Sequence, residues 1–181
     1  EAKKRGLNNF KTTPEALNAL VTPQAKKLFI ENGIYSEVEL EARHEIMLED
    51  YVKKVQIEAR ILGNIATNHI LPAAVKYQNL LIENVKNLKE IGVDPSGYKA
   101  QLNMVNVIGG HMQAMSENVE AMIAARKIAN NETNMHKRAE MYCNNIKSLF
   151  DNIRYAADKL ELLVDNSNWP LPTYHEMLYL G

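Results

Sequence analysis

From Ser36 to Ile91, apolar or small residues recur at steps of three and four: Leu48, Val52, Val55, Ala59, Leu62, Ala66, His69 and Ala73. That spacing lays them along one stripe of an α-helix. Beyond Ala73 the steps lengthen to four, through Tyr77, Leu81 and Val85, and then reach Leu88. The change sits at Pro72, which removes one backbone N–H and crowds the carbonyl of Asn68. The stripe resumes at once, so the pattern predicts one helix over residues 37–91, kinked at Pro72. Ser36-Glu37-Val38-Glu39 has the form of a capping box at its start. Glu37, Glu39 and Glu41 suit the positive end of the helix dipole. Gly92, followed by Asp94-Pro95, marks the exit.

Two more stripes follow. Leu102, Val105, Ile108, Met112, Met115, Val119 and Met122 form a heptad-like seam that predicts a helix over residues 98–129. Gly109-Gly110 weakens it locally, for packing or for a bend. Met135, Ala139, Tyr142, Ile146, Leu149, Ile153, Ala156, Leu160 and Leu163 predict a third over residues 132–164. The connection over 92–97 is short enough to force an antiparallel return. Before the spine, Thr13-Pro14 and Thr22-Pro23 each read as an N-cap with Pro at the first helical position. They open short helices over 14–20 and 23–31. After it, Trp169-Pro170-Leu171-Pro172 leads to Thr173-x-x-Glu176, a cap for a last short helix.

The expected fold class is therefore all-α: an elongated antiparallel bundle of three long, coiled-coil-like helices. The division read from the sequence is a connecting segment over 1–35, the long-helix bundle over 36–168 and an apolar docking tail over 169–181. At 1.5 Å per residue the first long helix extends about 80 Å and the other two about 50 Å each. The bundle cannot cover all of the first helix. Its uncovered part carries Ile46, Met47, Leu48 and Tyr51. The short helices, another chain or a further domain must bury them.

Composition narrows the function. The chain has 181 residues, 46% of them hydrophobic, and a formal net charge of −1 with mixed signs along its length. No clustered basic face points to nucleic acid. No apolar run is long enough for a membrane span. One cysteine, Cys143, excludes an internal disulfide and fits a reducing compartment, the cytoplasm. The start at Glu1-Ala2-Lys3 is neither a secretory signal nor an initiator Met, which favours reading the chain as a fragment of a longer protein.

Candidate chemistry is sparse. No phosphate-binding glycine loop, H-E-x-x-H or zinc-spaced Cys/His cluster occurs. Glu41-x-x-His44 is a lone match to the Glu-x-x-His element of di-iron bundles, which need two. His69 on the apolar stripe reads as a buried core histidine, and His111 is read the same way. His44, His136 and His175 are assigned to the surface. Met104, Met112, Met115 and Met122 read as core before binding groove. Cys143 lacks a paired base and reads as structural. No residue is assigned as catalytic, cofactor-binding or metal-binding.

Short matches spread along the chain carry a resemblance. They include Gly6-Leu7, Thr12-Thr13-Pro14-Glu15-Ala16-Leu17, Leu28-Phe29 with Gly33, and Ser36-Glu37-x-Glu39-Leu40. They continue through Arg43-His44-Glu45-Ile46, Glu49-Asp50-Tyr51-Val52, Ile57-Glu58-Ala59, Ile70-Leu71-Pro72-Ala73 and Tyr77. They end with Leu162-x-Val164-Asp165 and Trp169-Pro170-Leu171-Pro172-Thr173-Tyr174. In this order they resemble the C-terminal region of type III glutamine synthetases, the large bacterial class, over nearly the whole chain. The resemblance implies a parent enzyme that joins glutamate and ammonia through a γ-glutamyl phosphate, using ATP and Mg, in stacked rings of identical subunits. Its catalytic barrel would lie upstream. The chain itself would be a non-catalytic architectural, assembly or regulatory domain without a cofactor. Its partners would be the upstream catalytic domain and other subunits, with no nucleic acid or membrane. A free-standing helical adaptor is the alternative, and a metal-binding bundle of four-helix type the third reading.

Overall fold

The computed structural model describes residues 1–179; Leu180 and Gly181, at the end of the expected tail, lie outside the described residues. Every regular element among the described residues is helical. In chain order these are α1 (Thr13–Asn18), α2 (Pro23–Glu31), α3 (Glu37–Ile65), α4 (Leu71–Glu90), α5 (Lys99–Asn130), α6 (Met135–Met141), α7 (Phe150–Leu163) and α8 (Tyr174–Leu178). A π turn, Ala66–Ile70, joins α3 to α4, and a second, Tyr142–Ile146, follows α6. Short 3-10 turns cover Ala19–Val21, Pro95–Tyr98 and Lys147–Leu149. The chain divides into two compact units, one of residues 1–59 and 123–148, the other of 60–122 and 149–181.

In the first unit the caps do most of the local work. Thr22 Oγ1 accepts the Ala25 N–H at 3.3 Å, with Pro23 opening α2. The α1 cap is Thr12 rather than the expected Thr13. Thr12 Oγ1 accepts the Glu15 N–H, and Pro14 then falls at the second helical position, where its missing N–H still leaves no bond unmade. Helix α2 closes with Gly33 at φ +64°, and the Ile34 N–H reaches the Phe29 carbonyl at 2.9 Å. This C-terminal arrangement needs a residue without a Cβ penalty in the left-handed region. The Ser36 capping box forms as expected: Ser36 N–H donates to Glu39 Oε2 at 2.8 Å, and Glu39 N–H donates to Ser36 Oγ at 3.3 Å. Leu40, Leu48, Val52, Val55 and Ala59 line the buried face of α3, and Ala129, Ala139, Tyr142 and Ile146 are other buried apolar residues of this unit's core. The short helices cover only one side of α3. Ile46 stays 62% exposed and Met47 38%.

In the second unit the π turn changes which side chains face inward. The Leu71 N–H donates to the Ala66 carbonyl, five residues back. A π turn adds a residue and widens the helix. That gives room to the Pro72 ring, which in a regular helix would press on the Asn68 carbonyl. The extra residue also shifts the register. Ala66, Ile70, Ala73 and Ala74 are buried, and His69 is exposed. His69 is thus not the core histidine expected from the stripe. Helix α4 ends at Glu90 with Gly92 at φ +82° and the Val93 N–H on the Leu88 carbonyl.

The return over α5 is antiparallel within this unit. Near the turn, Gln78 Nε2 donates to the Val105 carbonyl at 2.9 Å and Tyr77 Oη contacts Met104 Sδ at 3.9 Å. Further from it, Gly63 packs near Val119 and Met122. Ile108, Met115, Val119 and Met122 are buried and Leu102 is 43% exposed, so the seam begins later than its spacing suggested. Gly109 makes room for Gln78, whose Nε2 would lie 3.4 Å from an added Cβ. The third long element starts at Met135 behind the Asn134 cap rather than at residue 132. It ends at Leu163, and Ile153, Ala156 and Leu160 of α7 are buried.

Candidate functional site

After α7, the Ser167 N–H donates to Asp165 Oδ1 at 2.6 Å, and the Trp169 N–H donates to the Asp165 carbonyl at 3.1 Å. The Ser167 hydrogen bonds, side chain first, hold the Asp165 carboxyl below its ordinary value. From Trp169 to Thr173 the chain is outside regular structure and bends at Leu171. Trp169 and Thr173 are buried and Leu171 is half-buried, while Pro170 and Pro172 face out. The Thr173–Glu176 capping box then starts α8. Glu176 accepts from the Thr173 N–H and hydroxyl, and these bonds keep its carboxyl below the usual range.

Tyr174 fastens the tail to α7. Its N–H donates to Glu161 Oε1 at 3.0 Å, its hydroxyl donates to Asp158 Oδ1 at 3.2 Å, and Arg154 donates to that hydroxyl at 2.9 Å. The His175 and Tyr179 rings pack at 4.9 Å. Between residues 169–172 and α8 lies an open groove of about 640 Å³, lined by Trp169, Pro170, Leu171, Pro172, His175 and Tyr179, with Asn166 and Glu176. Trp169 is 8% exposed, and its indole N–H has no acceptor among the described residues. Met177, Leu178 and Tyr179 are 50%, 82% and 75% exposed. The tail docks by one side and leaves its other apolar side open.

The first unit carries a smaller pocket of about 210 Å³, lined by Glu41, His44, Glu45, Leu48, Asn134, Met135 and His136. His44 Nε2 lies 3.3 Å from Asn18 Oδ1 of α1. Burial, and next the neighbouring His136, push the His44 pKa down, against the pull of Glu45. Glu41 is held by Lys26 at 2.6 Å, and His136 Nδ1 lies 3.7 Å from Glu140. Among the described residues no three of His, Cys, Asp and Glu are grouped so as to hold a metal ion. The pairing of His44 with His136 across the pocket had no signal in the sequence. The two are far apart in the chain, and each alone sits on a polar stretch.

The remaining chemistry-bearing residues make contacts within one or the other unit. The Tyr51 hydroxyl is in hydrogen-bonding contact with Cys143, and burial first, then that contact, raise the phenol above its ordinary value. Tyr142, fully buried in the π turn, donates to Asn130 Oδ1 at 2.7 Å; Gln56 donates to the same oxygen at 3.4 Å. His111 is half-buried, edge-on to Tyr155 at 6.4 Å. No helix among the described residues is long and apolar enough to cross a membrane.

Residues 1–89 match the family model for the glutamine synthetase C-terminal domain. Over 183 residues the chain is 39% identical to a glutamine synthetase of Bacteroides fragilis (strain YCH46), covering 99% of this chain and 25% of that protein. It is 30% identical to a type-3 glutamine synthetase of Dictyostelium discoideum and 26% identical to a glutamine synthetase of Butyrivibrio fibrisolvens. Each alignment covers 99% of this chain and 25% of the relative. The chain thus spans about a quarter of the length of the curated relatives it matches.

Proposed function

We propose that this chain, whose residues 1–89 match the glutamine synthetase C-terminal domain and which aligns end to end with a quarter of three glutamine synthetases, is an architectural domain of a type III glutamine synthetase. The parent enzyme would amidate glutamate with ammonia at the expense of ATP, with Mg as the metal, in the cytoplasm and as a homo-oligomer. The upstream catalytic region would supply every reacting group. This chain would hold that region and neighbouring subunits in place. Residues 1–35 would connect, 36–168 form the spine and 169–181 dock.

The observation that carries this reading is the end-to-end match, 99% of this chain against a quarter of three proteins named as glutamine synthetases. The supporting physical feature is a set of long amphipathic helices whose exposed positions still include Ile46, Ile57 and Ile61. The test is ATP-dependent glutamine formation by the full-length protein and by the 181-residue chain. Turnover is expected from the first alone. Turnover by the isolated chain, or none by the full-length protein, overturns the proposal.

A further inference from the structure

The tail is held to α7 mainly through one residue. Arg154, Asp158 and Glu161 stand four and three positions apart, on one face of α7, and all three bond Tyr174. Glu161 takes the N–H of the first residue of α8, one of the donors that a helix start leaves unmatched. These bonds are exposed, so each adds little net stability. No residue of α8 is buried. Inward anchoring falls to Trp169 and Thr173, both buried, and to half-buried Leu171. The Trp169 indole N–H meets no acceptor among the described residues. Its burial therefore carries a desolvation cost that release into water would remove.

Exposed outward bonds, a helix with no buried residue and a costly inward anchor leave the docked tail only slightly preferred. Segments of this kind open locally while the rest of a domain stays folded. We propose that residues 169–179 form a latch. The docked form exchanges with a released form in which the tail leaves α7 and Trp169 enters solvent. Tyr174 is the catch, because its bonds to Asp158, Glu161 and Arg154 all break on release and water replaces each of them. Helix α7 does not depend on the latch. It packs through Ile153, Ala156 and Leu160, on a different face from the one that holds Tyr174. The latch goes beyond the architectural reading above and does not rest on it.

The test uses the full-length protein, with amide exchange at residues 173–177 and hydroxyl-radical labelling of Trp169 both read by mass spectrometry. In wild type, residues 173–177 are expected to exchange faster than residues 153–160 of α7. Tyr174→Phe keeps the ring and removes the hydroxyl bonds to Asp158 and Arg154. It should raise both exchange at 173–177 and Trp169 labelling about three- to tenfold, the range set by the net worth of such bonds, with α7 unchanged. Benzothienylalanine in place of Trp169 keeps the ring shape and puts sulfur where the N–H stands. With it, exchange at 173–177 should slow about fivefold or more. Wild-type exchange at 173–177 as slow as in α7 overturns the proposal, and so does an isostere that fails to slow it. Faster exchange in Tyr174→Phe with constant Trp169 labelling assigns fraying of α8 alone and also overturns the latch. An unchanged Tyr174→Phe variant, or one in which α7 quickens equally, does the same.

Discussion

Replacing Ile70 and His69 separately by Ala tests the register set by the π turn. In a regular helix the stripe would bury His69. In the structure Ile70 is 4% exposed and His69 lies in solvent. Ile70→Ala removes three carbon groups from a buried site, a transfer loss of about 2.4 kcal/mol at about 0.8 kcal/mol per group. The residual cavity adds to this, so a total of about 2.5–5 kcal/mol is expected. His69→Ala removes an exposed side chain on a helix and should stay within about 0.5 kcal/mol of wild type. Urea unfolding followed by circular dichroism at 222 nm measures both, with the slope against denaturant checked for constancy. The reasoning is refuted if His69→Ala costs as much as Ile70→Ala. It is also refuted if Ile70→Ala costs under about 1 kcal/mol with an unchanged slope.

The two glycines of α5 should respond to different degrees. Nothing lies within 4 Å of a Cβ at Gly110, so Gly110→Ala should add about 0.5–1 kcal/mol and raise Tm by about 1–4 °C. Gly109→Ala would crowd the Gln78 amide at 3.4 Å, and calorimetry should find it less stabilising than its neighbour. His44 has a folded pKa below 6.5, so its contribution to stability is present above pH 6.5. It is lost as pH falls from there through the folded value, because the unfolded chain takes up the proton first. Chemical denaturation between pH 8 and 5 should show a steeper fall for wild type than for His44→Gln, and equal slopes would contradict the assignment. Thr173→Ala removes the α8 cap and should cost about 1 kcal/mol locally. It should be visible as faster amide exchange at residues 174–178 and little change in α7.

The π turns explain why part of the fold was legible in the sequence and part was not. Apolar periodicity, caps and exit glycines are local. Ser36 with Glu39, Thr22 with Pro23, Thr173 with Glu176, and Gly92 could therefore be placed without tertiary information. The helical class and the long spine follow from the same signals. Pro72 announced a disturbance but not its form. Whether a helix kinks or takes in an extra residue depends on which side chains the core accepts, and the core took Ile70 in place of His69. The second π turn, at Tyr142–Ile146, has no proline to mark it. Its stripe residues Tyr142 and Ile146 are nonetheless fully buried.

The candidate sites divide along the same line. Composition and order made the tail conspicuous, with its only Trp and its paired prolines. Its groove, the unmatched indole N–H and the Tyr174 anchor on Asp158 and Glu161 exist only once the tail is folded back on α7. The approach of His44 to His136 and of Tyr51 to Cys143 likewise joins residues far apart in the chain. Hydrophobic patterning along one helix fixes a face and an end. It carries no information on which residue of a distant helix will sit opposite, because that is set by packing among several faces at once.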